Sequence, residues 1–364
     1  MNDSSPKRTV LVGCGAVAGK LYRKPLQELQ RQGLLRVVGL VDSKLEHAEA
    51  LRSKLRSGSV FDDLNLALRS QRPDLTLILS PPHLHRDQAL LALKHRSHVL
   101  CEKPMAPSSD GCAEMVRLAR ENDRVLAVGM IRHFFPAFAQ LKTFFDAGKL
   151  GEICSFCYRE GRVFDWEVQT SAIFTRQASG GSGLLLDIGS HALDYLLWLF
   201  GDLNVVSYAD DAYEGVEGNV VLELTSPACP GRMQLSWDSP LRCELRVVGT
   251  RGEAILRVDQ LDKLAIKTNG DFEEVAVDHR YPADVRFPSR KTITPKLYTE
   301  SIYCQLIQVL RAIELAEAPA VDGQQGQACI SLIEAARRCA RPLDMPWLDP
   351  YQEAMHQSLH WTKA

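Results

Sequence analysis

Residues 9–18 read Thr-Val-Leu-Val-Gly-Cys-Gly-Ala-Val-Ala, a short apolar run that leads directly into a glycine-containing loop. The run Val10-Leu11-Val12 is typical of a buried strand, and residues 16–32 carry apolar side chains at helical spacing. Gly13 permits a tight turn, and Gly15 lets a ligand approach the backbone. A strand, a glycine loop and a helix in this order predict a dinucleotide-binding unit, with a pyrophosphate at the helix N-terminus.

The alternation of short apolar runs and amphipathic segments continues to about residue 130. We predict further strands at 36–42, 74–80, 98–101 and 125–130, and further helices at 44–57, 84–96 and 108–122. Alternating strands and helices of this kind are typical of a doubly wound parallel sheet. The sequence therefore predicts an α/β protein with a Rossmann domain over residues 1–131.

The pattern changes in the remaining residues, 132–364, where apolar side chains recur with period two in several runs. In residues 232–237, Arg-Met-Gln-Leu-Ser-Trp, every second side chain is apolar, and residues 243–247 repeat this pattern. Gly249 to Gly252 read as a hairpin turn. We expect a second domain with antiparallel strands, followed by C-terminal helices within residues 296–340.

Composition narrows the classes of partner. The net charge is -2 and the pI is near 6.6, with acidic and basic residues interspersed, so neither nucleic acid nor a membrane surface is an expected partner. Met1–Arg8 is short and polar and leaves no room for a signal-peptide core. The apolar stretch Leu184–Phe200 is interrupted by Asp187, His191 and Asp194 and is a poor membrane span. We expect a soluble, cytoplasmic protein with a small-molecule partner.

The ten cysteines are too sparse for a disulfide scaffold, and only Cys154 and Cys157 form a Cys-x-x-Cys pair. This pair lies on a predicted strand, where positions three apart point to opposite faces. We therefore expect reduced cysteines, with no zinc or redox site at this pair.

Asp42 ends the second predicted strand, 27 residues after Gly15. An acid at this place accepts hydrogen bonds from both ribose hydroxyls and repels a 2′-phosphate, so it favours NAD over NADP. Lys44 lies close enough to offer a 2′-phosphate a partner, which leaves NADP possible. The alternative is that Asp42 only caps the next helix.

Cys101-Glu-Lys-Pro104 follows a predicted strand, at the edge where open α/β sheets bind ligands. A lysine beside a nicotinamide could hydrogen-bond a carbinol oxygen and stabilise negative charge that develops there. The alternative is a surface ion pair between Glu102 and Lys103.

Asp187, His191 and Asp194 are spaced four and three residues apart and form a polar stripe on an apolar predicted helix. His191 suits general acid and base catalysis, and Asp187, one turn earlier, could orient its ring. A satisfied Asp-His pair in the core is an alternative. We expect no metal site, because the stripe lacks a further cluster of ligands.

These residues give the chain a resemblance to one family. Over nearly its whole length it resembles the Gfo/Idh/MocA oxidoreductases, in the motifs Gly13-x-Gly15-x-x-Ala18, Ser80-Pro-Pro-x-x-His85, Glu102-Lys103-Pro104 and Asp187-x-Gly-x-His191. The resemblance implies a C-terminal α/β domain with a large, mostly antiparallel sheet, and a nicotinamide between the two domains. It also suggests a homodimer or homotetramer formed through the polar face of that sheet.

The resemblance implies roles for individual residues. Lys103 would be the catalytic lysine and His191 the proton donor or acceptor, with Asp187 close by. The cofactor would be held by Gly13, Gly15, Ala16, Val17, Asp42, Ser80, Pro81, His85 and Glu102, with Glu102 at the nicotinamide ribose. Further candidates for substrate contact, besides Lys103, Asp187 and His191, are Arg132, Tyr158, Arg159, Arg162 and Trp166.

The expected activity is hydride transfer, with NAD(H), to or from a secondary alcohol or ketone of a sugar, an inositol or a nucleotide sugar. Two other functions stay open. One is a cofactor-bound sugar sensor without turnover, and the other is an NAD-dependent glycosidase that shows no net redox change.

Overall fold

The structure is a computed structural model that describes residues 5–163, 183–212, 216–268, 270–282 and 292–343. Contacts divide the chain into two compact units. The first unit consists of Met1–Gln140 and Val277–Ile330, and the second consists of Leu141–Ala276 and Ser331–Ala364.

The first unit is built on a six-stranded parallel sheet. Its strands are β1 (Lys7–Val12), β2 (Leu35–Val41), β3 (Ser59–Phe61), β4 (Leu75–Ile78), β5 (His98–Cys101) and β6 (Leu126–Val128). They are arranged in the order β3-β2-β1-β4-β5-β6. This is the strand order of a Rossmann fold, so the predicted doubly wound sheet is confirmed.

Helices connect these strands. A π-helical turn (Ala18–Tyr22) precedes α1 (Arg23–Arg31), and the chain continues through α2 (Leu45–Leu55), α3 (Leu64–Gln71), α4 (Pro82–Lys94), α5 (Ser109–Glu121), a 3-10 helix (Ile131–Phe134) and α6 (Pro136–Asp146). Asp63 caps α3 by accepting the Leu66 N–H at 2.6 Å, and Ser108 caps α5. β3 and α3 were not predicted from the sequence, and β3, with three residues, is too short to show periodicity.

Apart from the edge strand β3, the strands of the first unit are largely buried on both faces, as parallel strands between helices usually are. Val10, Val12, Val38 and Val41 pack together with Ala67 of α3 in one apolar cluster. The continuous apolar runs that the sequence shows in β1 and β2 follow from this double burial.

The second unit contains a nine-stranded mixed sheet. Its strands are β7 (Ile153–Gly161), β8 (Asn204–Asp210), β9 (Asn219–Thr225), β10 (Pro230–Ser236), β11 (Glu244–Gly249), β12 (Gly252–Arg257), β13 (Leu264–Lys267), β14 (Glu273–Glu274) and β17 (Ala340–Pro342). Their order is β14-β13-β12-β11-β7-β10-β9-β8-β17. The β7–β10 and β8–β17 pairs are parallel and the other neighbours are antiparallel. Gly249 pairs with Gly252, which confirms the predicted hairpin.

One face of this sheet is covered by α7 (Gly183–Phe200), whose Phe200 ring stacks on Phe156 with centroids 4.3 Å apart. Gly189 allows this packing, since a Cβ there would lie only 3.3 Å from Leu235 of β10. By length and mean hydropathy α7 resembles a membrane span, but 78% of it is buried inside the fold, as in the core helix of a folded domain.

The other face of the sheet carries the predicted polar residues Arg232, Gln234, Glu244 and Arg246, together with the partly exposed Val221 and Ile255 that pair beside them. Arg232 is exposed and its guanidinium lies 2.9 Å from the Glu223 carboxylate on the neighbouring strand. Ser236 was expected on this face, but it is only 2% exposed. Its hydroxyl donates to Asn219 at 2.7 Å, which explains why a polar side chain is buried there.

The chain then returns to the first unit. Residues 277–330 contain the small two-stranded sheet of β15 (Tyr281–Pro282) and β16 (Thr292–Ile293), followed by α8 (Tyr298–Leu315) and the start of α9 (Gly323–Arg338). Tyr303 of α8 donates its hydroxyl to Gln32 at 2.9 Å, and Glu314 pairs with Lys7 at 2.8 Å. This division differs from the predicted boundary, which placed all of 132–364 in the second domain, because α8 packs against α1.

Candidate active site

The glycine loop after β1 needs its two glycines for different reasons. Gly13 has a φ of +86°, and a Cβ there would lie 2.6 Å from the backbone nitrogen of Ser80. Both conformation and space therefore exclude a side chain. At the exposed Gly15, a Cβ would meet nothing within 4 Å. The loop thus leaves open space at Gly15, beside the partly buried Ala16 and Val17, where a pyrophosphate could approach the backbone.

Asp42 follows β2 and is held against this loop. Its Oδ2 accepts the Cys14 N–H at 2.8 Å, and its Oδ1 accepts the Lys44 N–H at 2.9 Å. Helix capping is a minor part of its role, because Lys44 precedes α2 and the helix has no side-chain cap. The carboxylate is therefore fixed beside the glycine loop, as a ribose-binding acid would be.

The end of β4 lies directly behind the glycine loop. Ser80 donates its hydroxyl to Gln88 at 2.5 Å, and Pro81, partly buried, precedes α4. The resemblance implied that His85 lines the cofactor cleft, but its side chain is fully buried. Its Nε2 lies 2.7 Å from the Ser80 carbonyl oxygen and its Nδ1 lies 2.8 Å from that of Pro104. His85 therefore joins two loops, and burial lowers its pKa.

Glu102 and Lys103 follow β5, and the carboxylate of Glu102 points into the fold. Its Oε1 accepts the Tyr22 hydroxyl at 2.5 Å, and its Oε2 accepts the Lys103 backbone N–H at 3.0 Å. Loss of water raises the pKa of Glu102, while the Tyr22 hydroxyl and then the Lys103 charge oppose this rise. The Glu102 carboxylate thus faces Tyr22, in contrast to the alternative of a surface ion pair between Glu102 and Lys103.

These residues form one connected group at the carboxyl edge of the first sheet. Gly13 abuts Ser80, Ser80 is joined through His85 to Pro104, and Pro104 is the neighbour of Lys103. Asp42 is joined to the same loop through the Cys14 N–H. The arrangement suits an extended ligand that runs from the end of β2 to the end of β5.

In the second unit, Asp187 and His191 lie one turn apart on α7 and are both partly exposed. The Ser190 hydroxyl donates to the Asp187 carbonyl oxygen at 2.8 Å. Asp194 was predicted to continue this polar stripe, but it is only 2% exposed. Only the first two members of the predicted stripe are therefore placed to meet a ligand.

Glu217 holds the start of α7 and was not predicted from the sequence. Its carbonyl oxygen accepts the Leu184 N–H at 3.0 Å, and its side-chain Oε1 accepts the Leu185 N–H at 3.1 Å. Arg337 of α9 donates to the same carboxylate oxygen at 3.2 Å. Burial raises the pKa of Glu217, and the Arg337 charge opposes that rise. No local sequence signal identifies this acid, because all of its partners are distant in sequence.

The candidates for substrate contact are scattered. Arg132, in the first unit, is 6% exposed, whereas Arg159 and Arg162, in the second, are exposed. Tyr158 is fully buried and donates its hydroxyl to Glu160 at 2.5 Å, so it belongs to the core of the second unit. Trp166 lies outside the described residues.

The described part of the chain contains no group of three or more His, Cys, Asp or Glu side chains arranged to hold a metal ion. No disulfide joins any of the ten cysteines, all of which lie in the described ranges; Cys154 is exposed and Cys157 is partly buried on β7.

Two curated relatives match part of the chain. A D-glucoside 3-dehydrogenase of Escherichia coli is 34% identical over 201 residues, which cover 54% of this chain and 55% of the relative. A scyllo-inositol 2-dehydrogenase (NADP+) of Bacillus subtilis is 32% identical over 49% of this chain and 55% of the relative. The chain thus spans about half the length of the curated relatives it matches.

A solved structure agrees in fold over almost the whole length. Levoglucosan dehydrogenase in complex with NADH and levoglucosan superimposes with a TM-score of 0.78 at 19% identity, covering 92% of this chain and 98% of that one.

Two family models match successive parts of the chain. Residues 7–130 match the model described as "Oxidoreductase family, NAD-binding Rossmann fold", and residues 138–255 match the "GFO/IDH/MocA C-terminal domain". The chain therefore belongs to the GFO/IDH/MocA oxidoreductase family, and its first unit contains an NAD-binding Rossmann domain.

Proposed function

We propose that this chain is an NAD(H)-dependent oxidoreductase that transfers a hydride to or from a secondary alcohol or ketone of a sugar, an inositol or a nucleotide sugar. The observation that carries this proposal is the connected group at the carboxyl edge of the first sheet, which joins the Lys103 loop to the glycine loop through Ser80 and His85. The names of two relatives, a D-glucoside dehydrogenase and a scyllo-inositol dehydrogenase, support a sugar or an inositol as the substrate.

The residues of the first unit fit the cofactor. When bound, NAD supplies the hydride acceptor or donor of the reaction. The open space at Gly15 suits a pyrophosphate, and the Asp42 carboxylate suits the hydroxyls of a ribose. The residues proposed to hold the cofactor are Gly13, Gly15, Ala16, Val17, Asp42, Ser80, Pro81 and Glu102.

NAD is the proposed cofactor in preference to NADP. The two backbone N–H groups that hold Asp42 keep its carboxylate from turning away from a 2′-phosphate. A fixed negative charge at that place would repel the phosphate group. The Bacillus subtilis relative is described as using NADP+, so cofactor preference is a property to be measured on this chain itself.

Lys103 and His191 are the proposed catalytic residues, acting on the same carbinol oxygen. In oxidation, neutral His191 accepts the hydroxyl proton, while the Lys103 ammonium donates a hydrogen bond to the oxygen and stabilises its developing negative charge. In reduction, His191 returns the proton. Asp187 orients the imidazole, a role supported by the partial exposure of both side chains one turn apart on α7.

The test is a panel of free sugars, glycosides, inositols and nucleotide sugars, assayed with NAD and with NADP by nicotinamide absorbance. We expect net reduction of NAD with at least one polyol or sugar. Binding of a sugar without absorbance change would favour a sensor, and glycoside cleavage without net absorbance change would favour a glycosidase. Either outcome would overturn the proposed dehydrogenase activity.

We also propose a homodimer or homotetramer formed through the polar face of the second unit's sheet. The support is family membership and a face that carries paired charges, such as Arg246 with Glu253 at 3.0 Å and Arg232 with Glu223. Light scattering at working concentration that gave a single-chain mass of 40.6 kDa would exclude this assembly.

A further inference from the structure

The π-helical turn at Ala18–Tyr22 brings a tyrosine to the catalytic loop. It follows the glycine loop directly, and the Arg23 N–H donates to the Ala18 carbonyl oxygen, five residues back. Turns of this kind are rare and occur often at functional sites. The Tyr22 side chain is fully buried, and its hydroxyl reaches Oε1 of Glu102, 80 residues away in sequence, at 2.5 Å.

The Glu102 carboxylate is held on three sides. Tyr22 donates to one oxygen and the Lys103 backbone N–H donates to the other, at 3.0 Å. On the third side, a Cβ at Gly129 would lie 2.9 Å from the carboxylate, so only glycine leaves room for it. The short O–H···O distance is that of a charge-assisted hydrogen bond, which is stronger than a neutral one.

Glu102 is partly exposed, but its carboxylate is turned towards the hydroxyl of the buried Tyr22. Burial raises the pKa of Glu102, and the Tyr22 hydroxyl is the strongest of the groups that lower it again. The pKa of Tyr22 is itself raised, mainly by burial and then by the Glu102 charge, so the proton stays on the tyrosine oxygen. The charges of Tyr298 and Cys101 also raise the pKa of Tyr22, to a smaller extent.

We propose that Tyr22 is a positioning residue: its hydroxyl holds the Glu102 carboxylate ionised and in one orientation, so that Glu102 meets the nicotinamide ribose and the Lys103 backbone stays fixed. The inference rests on the proposed function, because the ribose contact of Glu102 is part of it. Without the hydroxyl, one of the two hydrogen bonds to the carboxylate is lost and the protonated form of Glu102 becomes easier to reach.

The first experiment measures NADH affinity by nicotinamide fluorescence between about pH 5.5 and pH 8 on full-length Tyr22→Phe. Tyr303→Phe is the matched control, since it also removes a tyrosine hydroxyl bonded to a side chain of the first unit, Gln32. We expect the midpoint at which affinity is lost on acidification to move upward by at least about half a pH unit in Tyr22→Phe only. Glu102→Gln should bind NADH more weakly, with a flatter pH dependence.

The double variant Tyr22→Phe/Glu102→Gln should bind NADH as Glu102→Gln does, because the Tyr22 hydroxyl acts through the Glu102 carboxylate. A Tyr22→Phe curve that superimposes on that of the unaltered protein, or a Glu102→Gln protein with full NADH affinity, would overturn the proposal.

A second experiment needs no cofactor and separates this inference from the proposed function. For each variant, the infrared spectrum of the same protein carrying Glu102→Gln is subtracted, which isolates the band of the protonated Glu102 carboxyl. This band is followed as the pH is raised. We expect it to persist to higher pH in Tyr22→Phe than in Tyr303→Phe. Equal titration in the two variants contradicts the role of Tyr22, whereas failure of the substrate panel alone contradicts only the proposed activity.

Discussion

The Glu217 carboxylate accepts the backbone N–H of Leu185 at 3.1 Å, in the first turn of the helix that presents Asp187 and His191. The first N–H groups of a helix have no partner within it, and an acid there also meets the positive end of the helix dipole. Glu217 therefore fixes where α7 begins, and with it the register of the two candidate residues that follow.

Gly183 makes this capping possible, and its replacement should be costly. It has a φ of +63°, and a Cβ there would lie 2.2 Å from the Glu217 carboxylate. Gly201, at the other end of α7, is a matched control, with a φ of +74° and nothing within 4 Å of a Cβ. We expect Gly201→Ala to lower the free energy of unfolding by about 1 kcal/mol, from backbone strain alone.

Gly183→Ala adds a clash that would push the Glu217 carboxylate off the Leu185 N–H and Arg337, so it should cost at least about 1 kcal/mol more. Urea unfolding of both variants measures the difference. Equal losses would show that the contact between Gly183 and Glu217 is unimportant for stability.

His98 should make the fold sensitive to mild acid. Its Nδ1 accepts the Val125 N–H at 2.9 Å, and burial, followed by the Arg124 charge, lowers its pKa to about 4. The unfolded value is about 6.5, so the fold disfavours the charged imidazole, and stability is lost as the pH falls from about 6.5 towards 4.

The free energy of unfolding should therefore fall less between pH 7 and pH 5 in His98→Gln than in the unaltered protein. A slope in His98→Gln as steep as the original would contradict the assignment. A residual slope is expected, because burial also lowers the pKa of His85 and His279.

Asp42 should decide the preference between the two nicotinamide cofactors. The unaltered protein should bind NADH more tightly than NADPH, and Asp42→Ala should narrow this difference because it removes the charge that repels the 2′-phosphate. Glu46→Ala removes an exposed acid from the first turn of α2 and is the control for net charge. Fluorescence titrations that gave about tenfold tighter NADPH binding by the unaltered protein would refute NAD as the preferred cofactor.

Lys103 and His191 should matter for turnover and not for cofactor affinity. Lys103→Ala should lower turnover by about 10²-fold or more, the scale of one lost preorganised charge. The oxidation rate should rise with pH through an ionisation that His191→Ala abolishes, because only the neutral imidazole accepts a proton. Near-full turnover by either variant, on a substrate found in the panel, would show that the residue has another role.

Much of the first unit could be predicted because its strands are recognisable from their apolar sequences. β1, β2, β4 and β5 are buried on both faces, so their sequences are continuous apolar runs, and the functional residues follow their carboxyl ends. The loops that carry Gly13, Asp42 and Lys103 were therefore predictable from strand ends alone.

The features that could not be predicted are contacts between residues that lie far apart in the sequence. The Tyr22 hydroxyl is bonded 80 residues away, and periodicity from residue 16 to 32 predicts an ordinary helix with no π-helical turn. His85 looked like a ligand-facing residue until its two carbonyl partners were known. Glu217 and Arg337, 120 residues apart, share no local pattern at all.

The return of residues 277–330 to the first unit has a consequence for how the chain acquires its structure. During synthesis the whole parallel sheet, through residue 128, leaves the ribosome long before α8 exists. Until then, the surface of the first unit that α8 covers stays exposed. In the folded chain α8 reaches this surface through Tyr303, which contacts Gln32, and Gln305, which contacts the Val128 carbonyl oxygen. The sheet of the second unit is also incomplete at this stage, because its edge strand Ala340–Pro342 is synthesised after α8. Each unit therefore lacks one of its segments until late in synthesis, and we expect a nascent chain stalled before residue 298 to be a preferred client of chaperones.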